Sequence, residues 1–381
     1  MKDLTRRQIL LGGSAIVAAG LIPTIPKTPL TPAMKLMQSA LADDIARPDY
    51  MIRLSSNENP YGPSRVALKA IAENMHLANR YSRNSRALEE VLADINGVST
   101  DNIVIGTGSS EILNVAGLLG SRTHGSVVCA DPTYQTLLRY AENSGAEIIR
   151  VPVNESLNTD LDAMRAAVRD DTDLVYLTNP NNPIPSIIEK SALRKFVLEQ
   201  SKDRLVFVDE AYHEYVDNPD YESMMGLIAE GHKNIIVART ASKIHGLAGL
   251  RIGFGFAHPD LAAEMRRIKT GEMHVLAVVA AHASYLDEEF PAFTIRKNKE
   301  SRKIVEDMCE ELDLRYIKSN TNFTFIQTGM QNSVVKEKLE AYGILTGRDF
   351  PPLNDTWTRV SMSKPEEMHY FAQVYKQLFS T

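Results

Sequence analysis

Between residues 86 and 257 the chain repeats one unit, a short and continuously apolar run followed by an amphipathic stretch of helical period. The runs read as strands at Asn102–Ile105, Ser126–Ala130, Glu147–Val151, Asp173–Thr178, Arg204–Asp209, Asn234–Ala238 and Ile252–Phe256. Helical patterns fall between most of them, at Arg86–Asn96, from the Gly106–Ser110 turn through Leu119, and at Tyr134–Ser144, Asp160–Arg169 and Ser191–Glu199. Strands without polar alternation need cover on both faces. Strand and helix in alternation supply that cover, so the expected fold class is α/β, a three-layer α/β/α large domain.

After Pro259 the pattern changes. Helical stretches at Leu261–Lys269, Val275–Leu286 and Pro291–Leu312 lead to short strands near Arg315–Ile317, Phe323–Gln327 and Thr358–Ser361, then to a last helix at Pro365–Phe379. These predict a smaller α+β domain over residues 287–381, after a large domain over 76–286. Residues 43–75 form an arm that joins the small domain. Its Pro-rich stretch Arg53–Pro63 is extended, and Pro63-Ser64 opens a helix that runs to about Met75.

Residues 1–42 stand apart. Thr5-Arg6-Arg7-Gln8-Ile9-Leu10 places a twin-arginine pair before a mild apolar stretch that ends near Leu21, and Ala40-Leu41-Ala42 fits a small-x-small cleavage site. The segment resembles a Tat-type signal peptide, which predicts a partnership with the Tat export machinery and an exported, periplasmic protein. The alternative is an uncleaved signal that anchors the protein to the membrane, although the apolar run is shorter than a spanning helix needs. Lys2, Arg6, Arg7, Lys27 and Lys35 against Asp3 make this segment basic, so the net charge of −6 becomes −10 without it. No basic stripe remains for nucleic acid. The two cysteines, Cys129 in an apolar strand and Cys309 in an amphipathic helix, read as buried free thiols. The histidines show no metal-ligand spacing.

Chemistry concentrates at a few turns. Ser242-Lys243-Ile244-His245-Gly246-Leu247-Ala248-Gly249-Leu250-Arg251-Ile252-Gly253 sets a lysine eight residues before an arginine in a glycine-rich turn. Leu205-Val206-Phe207-Val208-Asp209 ends an apolar strand on a carboxylate. A desolvated lysine suits imine chemistry, and an inward carboxylate needs a cationic partner. Together with an arginine for a phosphate, this is the donor set for pyridoxal 5′-phosphate (PLP), with Lys243 forming a Schiff base to the aldehyde and Asp209 holding the pyridinium proton. On the aspartate alone, a helix N-cap or a structural ion pair serves as well. Gly106-Thr107-Gly108-Ser109-Ser110 follows a strand and opens a helix, a geometry that binds anions and also makes plain turns. Thr240, Ser242 and Arg251 would complete such an anion site. Asn182 and Tyr212 are candidates for the ring oxygen, Tyr134 for the ring face and Arg359 for a substrate carboxylate. For Arg359, a surface cross-strand arginine is the alternative. His245 and His274 read as satisfied or surface histidines, with a place near the cofactor as the alternative.

Asn57-Glu58-Asn59-Pro60-Tyr61-Gly62-Pro63, Gly106–Glu111, Asp131-Pro132-Thr133-Tyr134, Asn179–Pro183, Asp209-Glu210-Ala211-Tyr212 and Ser242–Gly253 occur in one order. In that order they resemble the fold-type I PLP enzymes, specifically class I/II aminotransferases of the histidinol-phosphate aminotransferase type. The resemblance spans roughly residues 50–365 and implies a mostly parallel mixed sheet. It implies Lys243 as Schiff-base lysine and proton shuttle, Asp209 on the pyridinium, Asn182 and Tyr212 on the ring oxygen, and Tyr134 stacked on the ring. Gly108, Ser109, Thr240, Ser242 and Arg251 would hold the phosphate, and Arg359 the substrate α-carboxylate or the group in its place. Tyr61 would reach the phosphate of a partner subunit's cofactor, so the resemblance implies a homodimer with shared active sites. The substrates implied are an amino acid, or an amino-alcohol phosphate such as histidinol phosphate, and a 2-oxo acid. Relatives of this type also include lyases, decarboxylases and racemases. Two stretches depart from the pattern: Ile184-Pro185 stands where Thr-Gly is usual, and Gly271-Glu272-Met273-His274-Val275 is unlike the usual substrate loop. A periplasmic location would point away from histidine biosynthesis and toward another amino acid.

Overall fold

A computed structural model describes residues 28–29, 31, 48–82 and 85–379. The twin-arginine pair, the apolar stretch and the Ala40-Leu41-Ala42 site lie outside the described residues. Thr28–Pro29, within the segment expected to be removed, pair antiparallel with Tyr50–Met51.

Seven strands form the central sheet, in the spatial order Ile103–Gly106, Gly253–Ala257, Ile235–Thr240, Leu205–Asp209, Thr172–Thr178, Ser126–Asp131 and Glu147–Pro152. Gly253–Ala257 runs antiparallel to both of its neighbours. The remaining pairs are parallel, so the sheet is mixed. The apolar runs are continuous because each strand feeds two cores. Val206 and Val208 join the core on one face and Phe207 the core on the other, as the two-residue period of a strand requires. The edge strand Glu147–Pro152 is half exposed, and its Glu147 and Arg150 face water.

The smaller unit pairs Tyr316–Ile317, Phe323–Gln327 and Trp357–Ser361 in an antiparallel sheet. Helices Glu289–Glu311 and Pro365–Phe379 and the arm residues Ile52 and Leu54 share its core. The arm strand Tyr50–Arg53 pairs in parallel with Ile344–Leu345. Elements outside the sequence reading include three beyond the arm, helix Met225–Ala229, helix Asn332–Glu340 and strand Ile344–Leu345. Two are too short to show a period. The third buries only Asn332, Val335 and Leu339, too narrow a stripe to stand out. Helix Pro259–Ile268 starts earlier than read, because Pro259 occupies its first position and His258 Nδ1 accepts from Asp260 N–H.

Cys129 and Cys309 are buried free thiols in separate cores. Burial pushes both up to about 12, away from thiolate chemistry.

Candidate active site

The carboxyl ends of four parallel strands converge at one edge of the sheet. The turns after Gly106, Thr178, Asp209 and Thr240 meet the arm and the strand Trp357–Ser361 there. They enclose a cleft of about 560 Å³, at the position where open α/β sheets place their ligands.

Lys243 sits on a tight turn closed by a hydrogen bond from Gly246 N–H to Lys243 O of 3.1 Å. Gly246 has φ of +67°, and a Cβ there would lie 2.1 Å from Gly62 O, so glycine lets the turn seat directly on the arm. The Lys243 ammonium donates to Asn57 O at 3.2 Å. Burial, and then the charge of Arg359, lowers its pKa to about 8.

Asp209 is 3% exposed and lines the same cleft. Its Oδ1 accepts from Ala211 N–H at 3.1 Å. Burial pushes the carboxyl up to about 7, against smaller opposing effects from that hydrogen bond and from Lys243. A carboxylate held this way gains from a cationic ligand group.

Tyr212 Oη accepts from Asn57 Nδ2 at 2.9 Å and lies 3.4 Å from Asn182 Nδ2. Asn57 is itself fixed by Ser361, whose hydroxyl donates to Asn57 Oδ1 at 2.6 Å and accepts from Asn57 N–H at 2.9 Å. Neither Asn57 nor Ser361 is among the site residues that the sequence suggests. Asn57 has φ of +52°, a feature of the fold that its neighbours in sequence do not announce.

Arg359 is a buried residue of the late strand, which corrects its alternative reading as a surface arginine. Its Nη1 donates to Asn182 Oδ1 at 2.7 Å and its Nη2 to Ser55 O at 2.5 Å. Its Nε is buried and has no hydrogen-bond partner among the described residues. The guanidinium lies 4.7 Å from the Phe350 ring centroid, and burial lowers its pKa to about 10. Arg139, Lys336 and Arg348 line the same cleft, whose cationic side chains outnumber its carboxylates, Glu58 and Asp209.

Gly106–Ser110 turns into helix Ser109–Leu119 with Gly108 at φ of +77°. A Cβ on Gly108 would lie 2.2 Å from Arg251 Nη2, so the guanidinium rests directly over this glycine. Arg251 Nη1 donates to Ala248 O at 2.9 Å. Ser109, Ser110, Thr240 and Ser242 bring four hydroxyls to the same end of the cleft, beside the helix N-terminus. That combination suits a phosphate dianion. Glu111 underpins it: Oε2 accepts from Thr107 N–H at 2.8 Å, and Oε1 from Thr270 N–H at 3.1 Å and Gly271 N–H at 2.5 Å. The unusual Gly271–Val275 stretch therefore begins by docking on the phosphate turn. The other departure, Ile184, is fully buried with Phe325 and Trp357, anchoring the Asn182 loop on the smaller unit.

Tyr134 lines the cleft. Tyr61 does not line it; its ring meets Phe293 edge-on at 4.9 Å. His274 caps the helix Val275–Tyr285, and His245 is buried behind Lys243.

Aminotransferase class I and II is the family whose pattern residues 49–374 match. This chain belongs to that family. It is therefore a PLP-dependent transaminase, and its residues fit that cofactor. The buried carboxylate of Asp209, with no ion pair among the described residues, suits the pyridinium, and the Gly108–Arg251 cradle suits the phosphate. The aminotransferase is 34% identical to a histidinol-phosphate aminotransferase of Moorella thermoacetica over 334 residues, 87% of this chain and 86% of that protein. It resembles the crystal structure of the histidinol-phosphate aminotransferase of Sinorhizobium meliloti in complex with PLP. There the TM-score is 0.79 with 27% identity, covering 95% of this chain and 97% of that one. L-threonine-O-3-phosphate decarboxylase of Porphyromonas gingivalis, 19% identical with a TM-score of 0.73 over 87% of this chain and all of that one, shares the fold.

Proposed function

We propose that this aminotransferase takes its amino group from an anionic amine, an amino acid or an amino-alcohol phosphate of the histidinol phosphate kind, and delivers it to a 2-oxo acid. One observation carries the reading: buried Arg359 lines the cleft that holds the Lys243 amine, and Arg139, Lys336 and Arg348 share that cleft.

When bound, PLP supplies an aldehyde for imine formation and a ring that withdraws electrons. The protein supplies the rest. Lys243, with a pKa lowered to about 8, has an appreciable uncharged fraction near neutral pH and can take a proton from the substrate Cα at Nζ and return it. Asp209 holds the proton on the ring nitrogen, while Tyr212 and Asn182 orient the ring oxygen. Arg359 fixes the substrate's anionic group, so the Cα–H bond stands in reach of Lys243.

The active unit in this reading is a homodimer in which Tyr61 serves the neighbouring site. Its place outside the cleft of its own chain supports this. So do the exposed Val66, Met75, Ile95 and Leu286, which lie on or beside helices that pack together. Residues 1–42 act as the Tat-type export signal, which rests on Arg6-Arg7. Light scattering of the purified protein tests the dimer, and cell fractionation of an Arg6→Lys, Arg7→Lys variant tests export.

The function is tested by visible absorbance of the purified holoenzyme, treated with single amines in the absence of any oxo acid. Bleaching with a phosphorylated or carboxylated amine, and recovery on adding a 2-oxo acid, supports the reading. Carbon dioxide, the substrate's enantiomer or ammonia as product would instead establish a decarboxylase, racemase or lyase.

A further inference from the structure

Two turns carry the groups that meet the reactive end of the cofactor. Tyr212 lies on one and Lys243 on the other. Two residues beyond each stands a polar side chain facing its counterpart: Glu214 after Tyr212, and His245 after Lys243. His245 is 4% exposed, and its Nε2 lies 3.3 Å from Glu214 Oε1. A carboxylate only accepts, so Nε2 carries the hydrogen. Its Nδ1 lies 2.9 Å from Ser284 Oγ, and its ring stacks on Tyr285 with centroids 4.0 Å apart. Ile244, Tyr212 and Tyr215 pack into one small cluster, so the two turns touch directly.

Asn57 of the arm also joins the two turns, donating to Tyr212 Oη at 2.9 Å and accepting from Lys243 Nζ at 3.2 Å, while the Glu214–His245 pair is a direct polar contact between side chains of the turns themselves. His213 Nε2 is 3.6 Å from the same Glu214 oxygen, but burial pushes its pKa down to about 4, so it is neutral at working pH. Arg239 and Glu210, the nearest other charges, are paired with each other at 3.0 Å. Asp209 and Lys243 face the cleft. An apolar contact would pack the turns with less desolvation. A close contact between two fixed polar partners favours one separation of the two turns, where apolar packing tolerates several.

We propose that Glu214 and His245 are positioning residues, whose contact helps set the Tyr212 hydroxyl and the Lys243 amine at the separation and orientation the reaction needs. The inference rests on the transaminase reading above. It predicts that the pair acts as one unit, felt at the cofactor rather than in substrate affinity.

The test compares wild-type holoenzyme with His245→Phe, which keeps a ring on Tyr285 but loses the donor, and with Glu214→Leu, Glu214→Gln and the Phe/Leu double variant. Visible absorbance is titrated against pH, and kcat and KM are measured separately. The expected result is a displaced titration midpoint, by about half a pH unit or more, in both apolar variants. With it kcat falls roughly 10- to 100-fold while KM changes less than about threefold. The double variant should be no worse than either single one, and Glu214→Gln, whose amide oxygen still accepts, should stay close to wild type. An unmoved midpoint in folded variants, or losses that multiply in the double variant, overturns the proposal. If His245→Phe does not take up cofactor, His245→Gln decides, because its amide reaches for the same carboxylate and must recover both midpoint and kcat. Borohydride reduction of wild type, followed by mapping of the labelled peptide, separates the two readings. Label absent from Lys243 defeats the transaminase reading and this inference with it; label present with unmoved variants defeats this inference alone.

Discussion

Arg359 Nη1 donates to Asn182 Oδ1 at 2.7 Å, joining residues 177 positions apart. The arginine belongs to the smaller unit and the asparagine to a turn of the large sheet, so in the proposed reading one link would hold both the substrate anion and the cofactor ring. Replacing Arg359 with lysine keeps the charge and loses the fork. The expected loss is about 10²-fold in kcat/KM, about 3 kcal/mol, expressed mainly as a raised KM for the amine. Steady-state kinetics with donor and acceptor varied in turn checks this.

Asp209 makes the cofactor-free protein sensitive to pH. Its carboxyl is raised from 3.8 to about 7 by burial, so between those values the folded protein holds a proton that the unfolded chain has released. Its stabilising contribution is complete below about pH 4 and disappears as pH rises through about 7. At pH 8 the Asp209→Asn apoprotein should be more stable than wild type by roughly 1–4 kcal/mol, with the gap closing toward pH 4. Urea unfolding of the apoproteins across pH 4–8 measures it. The same variant should lose transaminase activity, because an amide does not hold a pyridinium proton.

The Gly108–Arg251 contact predicts a phosphate-specific defect. Arg251→Ala should weaken PLP binding by roughly 10- to 100-fold and leave binding of pyridoxal, which lacks the phosphate, nearly unchanged. Gly108→Ala should do similar damage, since its Cβ would lie 2.2 Å from Arg251 Nη2 at a φ of +77°. Equilibrium titration of apoprotein with the two forms of the vitamin distinguishes this from general unfolding.

Glu111 holds the phosphate turn through Thr107 N–H and the following loop through Thr270 and Gly271 N–H. Glu111→Ala should cost roughly 2–4 kcal/mol, since several backbone donors lose a charged acceptor at once. Glu111→Gln should cost less. Thermal unfolding of holo and apo forms checks both, with the larger drop expected in the holo form.

Much of this protein was legible in the sequence. Continuous apolar strands such as Leu205–Asp209 declare burial on both faces, and that alone demands a helix-covered sheet. Lys243, Asp209, Arg251 and the Gly106–Ser110 turn were readable because their chemistry is local: a residue type, a strand end, a glycine pattern. Asn57, Ser361, Glu111 and the Glu214–His245 pair were not, because their roles lie in partners 155 residues away for Asn57 and Tyr212, or 304 for Asn57 and Ser361. His245 shows the limit plainly. Beside Lys243 in the chain it reads as an ordinary satisfied histidine, and only the packing of one turn on another gives it a carboxylate, a hydroxyl and a ring to face. Hydrophobic period and turn chemistry act over a few residues and are written in the chain. The meeting of distant side chains depends on closing long loops into one close-packed core, and only the tertiary structure decides it.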